Sequence, residues 1–297
     1  MNKMLRIGLA VILIGIGMVV IFAIASGEDF FTYFNGDTTF TYVEKTYASD
    51  DFEVLNVSLK NKSVYILPST DDQVKITYYE NETDYITYDL DGMTLDVENE
   101  VEWVANIFNF NFFIEPDYFK LYLYLPESME LDLDLGTSNG LITISDLTDF
   151  GVLKLASSNG EITLDGIESS GNMTLYTSNG TIDVTNSITL GNAKFTTSNG
   201  KILVNGLEAS LVDLHTSNGK IDCSNMTSDD IELSTSNGNI ILNVPGAFED
   251  HYLKMSTVNG NYYLNGDEVV TNSYHDSASK RIDCSTSNGN VSVNFSN

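Results

Sequence analysis

Basic residues are scarce in this chain of 297 residues, where 14 lysines and arginines stand against 42 aspartates and glutamates, for a formal net charge of −28. Because such a surface repels phosphate backbones, the composition argues against a nucleic-acid partner. Proline, with four residues, and cysteine, with two, are also rare. Two cysteines are too few for a disulfide scaffold, whereas abundant Gly, Asn, Ser and Thr are typical of short strands joined by tight turns.

Motifs for catalysis or metal binding are missing from the sequence as well. Nucleophile-elbow, P-loop and dinucleotide-binding patterns are absent, and His215, His251 and His275 share no metal-ligand spacing. Cys223 and Cys284 fall on apolar positions, so we expect buried, reduced thiols. The sequence therefore predicts no catalytic residue, no cofactor and no metal, and hence a protein that is not an enzyme.

One long hydrophobic run occupies residues 7–25, all of them apolar or Gly. A helix of this length spans roughly 28 Å, close to the hydrocarbon core of a bilayer. Basic residues precede the run and acidic residues follow it, so the positive-inside rule predicts a single-pass membrane protein with everything after Ser26 outside the cytoplasm. The alternative is a signal peptide cleaved after Ala25, which would release the rest of the chain as a secreted protein.

A tripeptide, Ser-Asn-Gly, recurs between residues 138 and 289, with one Val-Asn-Gly variant at residues 258–260. The spacings between its asparagines are 20, 20, 20, 19, 19, 22 and 29 residues, and a near-constant period of this size is typical of a solenoid. On both sides of each Asn, apolar residues alternate with polar ones, as they do in strands. The sequence therefore predicts an all-β fold, a parallel β-solenoid of about 19–20-residue coils, preceded by an N-terminal transmembrane helix.

We interpret the tripeptide as the corner between the two strands of a coil. Asn and Gly both tolerate positive φ, and stacked Asn side chains can hydrogen-bond along the solenoid axis. A Thr or Ser two residues before each Asn would extend this polar ladder. A calcium-binding β-roll is the alternative, but the regular Asp of its turns is missing here. The predicted corner ladder comprises Asn139, Gly140, Asn159, Gly160, Asn179, Gly180, Asn199, Gly200, Asn218, Gly219, Asn237, Gly238, Asn288 and Gly289.

The coil pattern Thr-Ser-Asn-Gly-x-Ile-x-Val and the lead-in "LYLYLPESMELDLDLGTSNG" at residues 121–140 resemble the bacterial and archaeal putative-adhesin family of β-strand-repeat surface proteins. The resemblance covers most of the chain from about Phe52 onward. It implies a β-strand-repeat fold displayed at the cell surface and a role in adhesion. No catalytic residues carry over, because the positions shared with the family are corner and ladder residues.

Composition divides the chain into a membrane anchor at residues 1–27, a linker at residues 28–51, degenerate first coils or a capping β region at residues 52–130, and the repeat solenoid at residues 131–297. In the third part, Asp91-Gly92 between alternating apolar residues predicts a hairpin. An aromatic insertion follows, which is either a cap over the open solenoid end or a patch for a partner. Its candidate contact residues are Trp103, Ile107, Phe108, Phe110, Phe112 and Phe113.

The sequence favours a membrane-anchored, externally displayed binding or adhesion module, with an envelope glycan or another membrane protein as its partner. Two other functions stay open. One is an envelope-stress or regulatory ectodomain that contacts a membrane protein through the aromatic insertion. The other is a polysaccharide-acting β-helix enzyme with Asp213 and Glu232 as stacked carboxylates. In the same outward column, Lys194 and Lys254 flank these acids, which is typical of a solvated ladder of mixed charge.

Overall fold

The computed structural model describes residues 39–101, 116–127 and 129–296. These residues form one large, mostly parallel β-sheet structure. The strands of the first part are β1 (Thr41–Ala48), β2 (Val54–Leu59), β3 (Ser63–Pro68), β4 (Gln73–Glu80), β5 (Asp84–Asp91), β6 (Thr94–Val101), β7 (Lys120–Leu125) and β8 (Leu131–Thr137). The strands of the coils that follow are β9 (Ile142–Ser157), β10 (Ile162–Ser169), β11 (Met173–Thr177), β12 (Ile182–Thr189), β13 (Asn192–Thr197), β14 (Ile202–Glu208), β15 (Leu211–Thr216), β16 (Ile221–Thr227), β17 (Asp230–Thr235) and β18 (Ile240–Pro245). The last strands are β19 (His251–Asn259), β20 (Tyr262–Leu264), β21 (Asp267–Val269), β22 (Ser273–Tyr274), β23 (Lys280–Asn288) and β24 (Val291–Ser296).

Strict alternation of apolar and polar residues builds each coil. In β12, Ile182 and Val184 point into the core and are fully buried, while Asp183 between them is partly exposed. Parallel pairing then aligns equivalent residues of successive coils, as in Ile162, Ile182 and Ile202. The inward side chains therefore stack into apolar columns and form one continuous hydrophobic core.

At each end of the solenoid the coils lie out of sequence order. Strands β17 and β18 pair with β23 and β24, and β19 and β20 pair with the far side of β23 and β24. At the other end, β2 and β3 lie between β6 and β7 on one side and β8 and β9 on the other. At the first end the chain therefore steps outward from β2 and β3 to β6 and β7 and then passes back over that coil to β8 and β9. At the last end it runs outward to β19 and β20 and then returns one coil inward to β23 and β24.

Antiparallel strands extend the stack at its first end. Strands β5 and β6 form the predicted hairpin, with Gly92 at a φ of 62° in its turn, and that prediction is confirmed. Strand β4 pairs with β7, and β1 pairs with β4. Strand β1 occupies residues 41–48, within the range for which the sequence predicted a linker. Residues 52–101 consequently contribute a coil, from β2 and β3, and part of a capping sheet that also contains β1 and β7.

A buried lysine ties this capping sheet to the first coil. Lys62 stands at the corner between β2 and β3, in the place that Gly takes in the repeats, and its side chain is fully buried. Its Nζ lies 3.1 Å from a carboxylate oxygen of Asp84 and donates to the carbonyl oxygen of Tyr79 at 3.1 Å. A buried ammonium needs such partners, so the corner at Lys62 fixes where β4 and β5 meet the coil.

The predicted fold class is wrong where it combined the solenoid with a transmembrane helix. The described residues are all-β, with two short 3₁₀ helices, Pro116–Phe119 and Phe248–Asp250, and no α-helix. Among these residues, no helix has the length and apolar character needed to cross a bilayer. Their apolar side chains repeat with a period of two rather than 3.6, which favours strands throughout. Residues 1–27, on which the helix was predicted, lie outside the described residues.

Candidate recognition surface

The corner asparagines form a continuous ladder along one edge of the solenoid. Each Nδ2 donates to the Oδ1 of the Asn in the adjacent coil, at 2.6–2.9 Å. The spatial order is Asn61, Asn139, Asn159, Asn179, Asn199, Asn218, Asn237, Asn288 and Asn259. Because each interior amide is engaged on both sides, the ladder stabilises the stack of coils.

A threonine beneath each corner joins neighbouring coils through the backbone. Thr197 is buried, and its Oγ1 donates to the carbonyl oxygen of Gly180 in the preceding coil at 3.1 Å. The same oxygen accepts the backbone N–H of Gly200 at 3.1 Å. Thr177 and Thr216 make the same pair of bonds in adjacent coils. At these corners the hydroxyl therefore satisfies one buried carbonyl and one buried N–H.

The corner glycines are required for close approach and not for backbone conformation. A Cβ placed on Gly200 would lie 1.6 Å from the carbonyl oxygen of Gly180, so no side chain fits there. Positive φ is not found at the corner glycines Gly140, Gly160, Gly180, Gly200, Gly219, Gly238 and Gly260, and Gly289 is the exception, with a φ of 157°. The sequence-based explanation by positive φ is wrong at these positions, because tight stacking of one corner on the next decides the residue.

Positive φ is instead found at a second corner of the coil, which the sequence analysis missed. Seven residues after five successive corner asparagines, a column of left-handed residues runs through five coils, with φ between 47° and 80°. Its members are Asp146, Gly166, Asn186, Gly206 and Asn225. The signal was present in the sequence, since Gly, Asn and Asp are the residues that tolerate this conformation.

The outward column that contains the stacked carboxylates is a mixed-charge ladder. Asp213 pairs across strands with Glu232, but its carboxylate also forms an ion pair with Lys194 at 2.7 Å. Because the last coils are reversed, Glu232 is next to Asp283 and Lys254 follows. Lys254 contacts Asp283 at 3.4 Å. These side chains are largely paired with each other on the surface.

The two cysteines are buried, and two of the histidines contact hydroxyl or carbonyl oxygens. Cys223 and Cys284 are free and fully buried, and burial raises the pKa of both thiols, which disfavours the reactive thiolate. His215 contacts the hydroxyl of Ser234, and His251 is buried against the carbonyl of residue 247. Within the part of the chain that the structure describes, no group of three or more His, Cys, Asp or Glu side chains is arranged to hold a metal ion.

The predicted patch at Trp103, Ile107, Phe108, Phe110, Phe112 and Phe113 lies outside the described residues. The strands on either side of it, β6 and β7, are the outermost coil at the first end of the solenoid.

A face rich in tyrosine covers this same end, on the sheet formed by β1, β4, β7 and β3. We call it the tyrosine face, and its five outward rings are exposed or half-buried: Tyr42, Tyr65, Tyr79, Tyr122 and Tyr124. Tyr42 packs edge-on against Tyr79, with ring centroids 5.5 Å apart. Tyr65 stacks on Tyr122 at 5.2 Å, and Tyr122 lies nearly parallel to Tyr124 at 6.4 Å. In the coils beyond β3, the next outward residues of this sheet are Thr143 and Thr163. At this end of the sheet the cluster of outward aromatic rings thus stops at β3.

An open groove of about 310 Å³ crosses the tyrosine face. Tyr42 and Tyr124 line it together with Glu44, Lys75 and Thr77. The hydroxyl of Tyr42 donates to Oε2 of Glu44 at 3.1 Å, and partial burial and this bond raise the pKa of the phenol. Tyr42 is therefore neutral at physiological pH.

A larger cleft of about 500 Å³ lies between β2, β8 and the turn after β5, and its lining includes Asp50, Glu53, Glu130 and Asp132. Oδ1 of Asp132 already accepts the backbone N–H of Val152 at 2.6 Å. Since acidic clusters are common on a surface of this net charge, the tyrosine face is the stronger candidate for recognition.

Comparison with known proteins places this architecture in a family. Residues 52–294 match the model of the Toastrack DUF4097 family. The chain belongs to this family. No curated relative matches the sequence.

Several solved structures are similar to this Toastrack chain. A protein described as a putative adhesin from Bacteroides fragilis is 15% identical, with a TM-score of 0.44, and the match covers 86% of this chain and 97% of that one. A putative adhesin from Parabacteroides distasonis is 13% identical, with a TM-score of 0.42 and coverage of 88% and 98%. A putative lipid binding protein from the same species is 14% identical, with a TM-score of 0.36 and coverage of 86% and 97%. The family match confirms, at the level of the fold family, the resemblance seen in the sequence.

The Toastrack match begins after β1. Tyr42 and Glu44 therefore lie outside the matched range, whereas Lys75, Thr77 and Tyr124 lie inside it. One wall of the groove is therefore contributed by a strand that lies outside the matched range.

Proposed function

We propose that this protein is a non-catalytic binding or adhesion module that acts outside the cytoplasm, with the tyrosine face as its recognition surface. The observation that carries the proposal is the concentration of five outward tyrosines on one sheet at the end of a rigid stack of coils. Exposed aromatic rings contribute large contact areas at a low cost in side-chain entropy, so they are enriched where proteins bind partners.

The coils support this assignment, because many of their corner and outward side chains bond to side chains at equivalent positions of neighbouring coils. The corner asparagines bond to one another, and lysines of the outward column form ion pairs with neighbouring acids. A solenoid stabilised in this way is a suitable rod on which to present a recognition surface. The apolar run at residues 7–25 and the acidic composition support export of the residues that follow.

Adhesion can be tested with beads that carry the full-length protein and are incubated with isolated cell-envelope fragments. We expect the beads to bind, and we expect soluble full-length protein to compete. Tyr122→Ala should weaken binding, because its ring lies between those of Tyr65 and Tyr124. Tyr176→Ala is the matched control, since Tyr176 is exposed on β11, far along the stack. Equal binding by beads that carry no protein would contradict the proposal.

External location can be tested separately with protease added to intact cells. We expect cleavage of the residues after Ser26. Complete protection of these residues in cells whose wall has been removed would contradict an external location.

A regulatory ectodomain that contacts another membrane protein is the second candidate. It is favoured by the position of residues 103–113 between β6 and β7, because β7 also belongs to the sheet that bears the tyrosine face. Crosslinking from residue 103 in intact cells should then give one membrane protein in stoichiometric yield, and a spread of products without a major species would contradict this candidate.

A further inference from the structure

We propose that the groove between Tyr42 and Tyr124 is a binding site for an uncharged glycan. The inference rests on the proposed function and goes further, since it names the site on the tyrosine face and the chemical class of its ligand.

Aromatic rings at two sides of the groove provide the apolar contacts that a sugar ring requires. The face of a pyranose ring carries C–H groups and its rim carries hydroxyls, so a sugar pairs an apolar surface with a polar edge, as tyrosine itself does. Tyr42 and Tyr124 occupy β1 and β7, with β4 between them. A saccharide lying across β4 would therefore meet one ring on each side.

Both rings are held in place before any ligand binds. Tyr42 is fixed by its hydrogen bond to Glu44 and by its edge contact with Tyr79. Tyr124 is aligned with Tyr122, which stacks on Tyr65. Because little side-chain freedom is left to lose, binding at this site carries a reduced entropic cost.

The polar groups of the groove fit hydroxyls better than they fit ions. Glu44 is a hydrogen-bond acceptor and Lys75 is a donor, and they carry opposite charges in one groove. Among the ion pairs of the described residues, none involves Lys75, so its ammonium is available to a ligand. A sugar hydroxyl both donates and accepts, and can use both groups. An anion would be opposed by Glu44 and a cation by Lys75.

The charge of the whole chain selects further among glycans. At a formal net charge of −28, the protein repels anionic polymers at distances beyond direct contact, which disfavours uronic-acid polysaccharides and anionic lipid surfaces. Lipid chains would also leave Glu44 and Lys75 without hydrogen-bond partners once they were covered. An uncharged polysaccharide avoids both costs.

The test is isothermal titration calorimetry, which measures the affinity of the full-length protein for each ligand. Three ligands are uncharged hexasaccharides, of glucose, of N-acetylglucosamine and of mannose. The fourth is an anionic hexasaccharide of galacturonic acid. Vesicles of phosphatidylcholine serve as the lipid probe. We expect at least one uncharged hexasaccharide to bind, and the anionic hexasaccharide and the vesicles to bind more weakly or not at all. Binding that is confined to the anionic hexasaccharide or to vesicles would overturn the proposal.

Substitutions then locate the site. Tyr42→Ala and Tyr124→Ala should each weaken binding by about tenfold or more, which corresponds to about 1.4 kcal/mol, while Tyr42→Phe keeps the ring and should retain most of the affinity. Tyr176→Ala is again the control, because its hydroxyl contacts Ser178 two residues away, much as Tyr42 contacts Glu44. Thermal unfolding of each variant will show that it is folded, and since Tyr42 is exposed on an edge strand, Tyr42→Ala should unfold at the wild-type midpoint.

Equal affinity of Tyr42→Ala and the wild type would overturn the placement of the site in this groove. Failure of every uncharged hexasaccharide to bind would overturn the glycan assignment. Neither result bears on adhesion itself, because beads that still bind envelope fragments through the tyrosine face would leave the proposed function in place with a different ligand.

Discussion

The repeat coils and the capping sheet at the first end are built by the same alternation but use their outward positions differently. In the coils, outward and corner side chains bond mainly to equivalent residues of neighbouring coils, as Asn199 does to Asn179 and Lys194 does to Asp213. In the capping sheet, outward positions carry aromatic rings, among them Tyr42 and Tyr122. The contrast supports the proposal that the coils provide stability and the end provides the recognition surface.

Within the coil itself, the two corners depend on small residues for different reasons. Gly200 at the first corner has no space for a Cβ. At the second corner, a Cβ on Gly206 would come no closer than 3.3 Å, to the side chain of Asn186, but the φ of Gly206 is 80°. Substitutions at these corners therefore test what stabilises the coils, and substitutions on the tyrosine face test binding.

The largest effect is expected for Gly200→Ala. Its Cβ would overlap the backbone of Gly180, and relief requires two coils to move apart. We expect a loss of more than about 3 kcal/mol in the free energy of unfolding, at the upper end of overpacking effects. Chemical denaturation followed by circular dichroism measures this loss. A change below about 1 kcal/mol, which is closer to the effect of a surface substitution, would contradict the close-approach explanation.

Thr197→Val is expected to come next. Valine has nearly the same shape as threonine, but it leaves the carbonyl of Gly180 and the N–H of Gly200 without their hydroxyl partner. We expect a loss of about 2–3 kcal/mol, since each unsatisfied buried group costs about 1–3 kcal/mol. Thr197→Ser keeps the hydroxyl, as Ser157 does in an earlier coil, and should lose clearly less. Equal losses for the two variants in denaturant titrations would contradict a role for the hydroxyl.

Gly206→Ala should have a smaller effect of about 1–2 kcal/mol, the usual cost of a left-handed L-residue. Gly206→Asn should cost less, because Asn186 and Asn225 already hold the same position in other coils. The measurement is the difference in thermal midpoint between the two variants.

The matched test at the first corner is Gly200→Asn, which should destabilise the protein at least as much as Gly200→Ala. If Asn is tolerated at position 200, backbone conformation rather than close approach explains the glycine at the first corner.

The smallest effect is expected for Asn199→Ala. The side chain is exposed and its loss breaks two rungs of the ladder, to Asn179 and to Asn218. Because water can replace these partners, we expect a loss of about 0.5–1.5 kcal/mol. Asn199→Leu should cost at least as much. A loss above about 3 kcal/mol, the upper range for a buried unsatisfied group, would mean that the corner asparagine does more than bond to its neighbours.

Much of the coil could be predicted from the sequence, because apolar residues alternate with polar ones in each strand and this pattern recurs in many successive coils. The apolar pairs such as Ile182 and Val184 indicate strands, and their recurrence at a fixed spacing indicates parallel pairing of coils. The reason for the corner glycine could not be derived in this way, because close approach to the carbonyl of the preceding coil depends on how tightly coils stack. The reversal of the last two coils also could not be predicted. The longer spacing before Asn288 indicates an insertion, but it does not indicate the direction in which the chain returns.

The tyrosine face could not be predicted because its members are far apart in the chain. Tyr42, Tyr79 and Tyr122 come together only when β4 pairs with β1 and with β7, and both pairings are antiparallel. In the sequence, each of these tyrosines is an ordinary outward residue of an alternating strand. The aromatic insertion at residues 103–113 was the more conspicuous signal, and it pointed to the same end of the solenoid through β7.

The division between a stable region and a recognition region is tested most directly by the envelope-binding assay with two double variants. One replaces Tyr79 and Tyr122 by Ala, and the other replaces Asn179 and Asn199 by Ala. Both are assayed well below their thermal midpoints. We expect the tyrosine variant to lose adhesion with little change in midpoint, and the asparagine variant to unfold at a lower temperature while it adheres like the wild type. Full adhesion by the tyrosine variant, or loss of adhesion by a folded asparagine variant, would contradict the division.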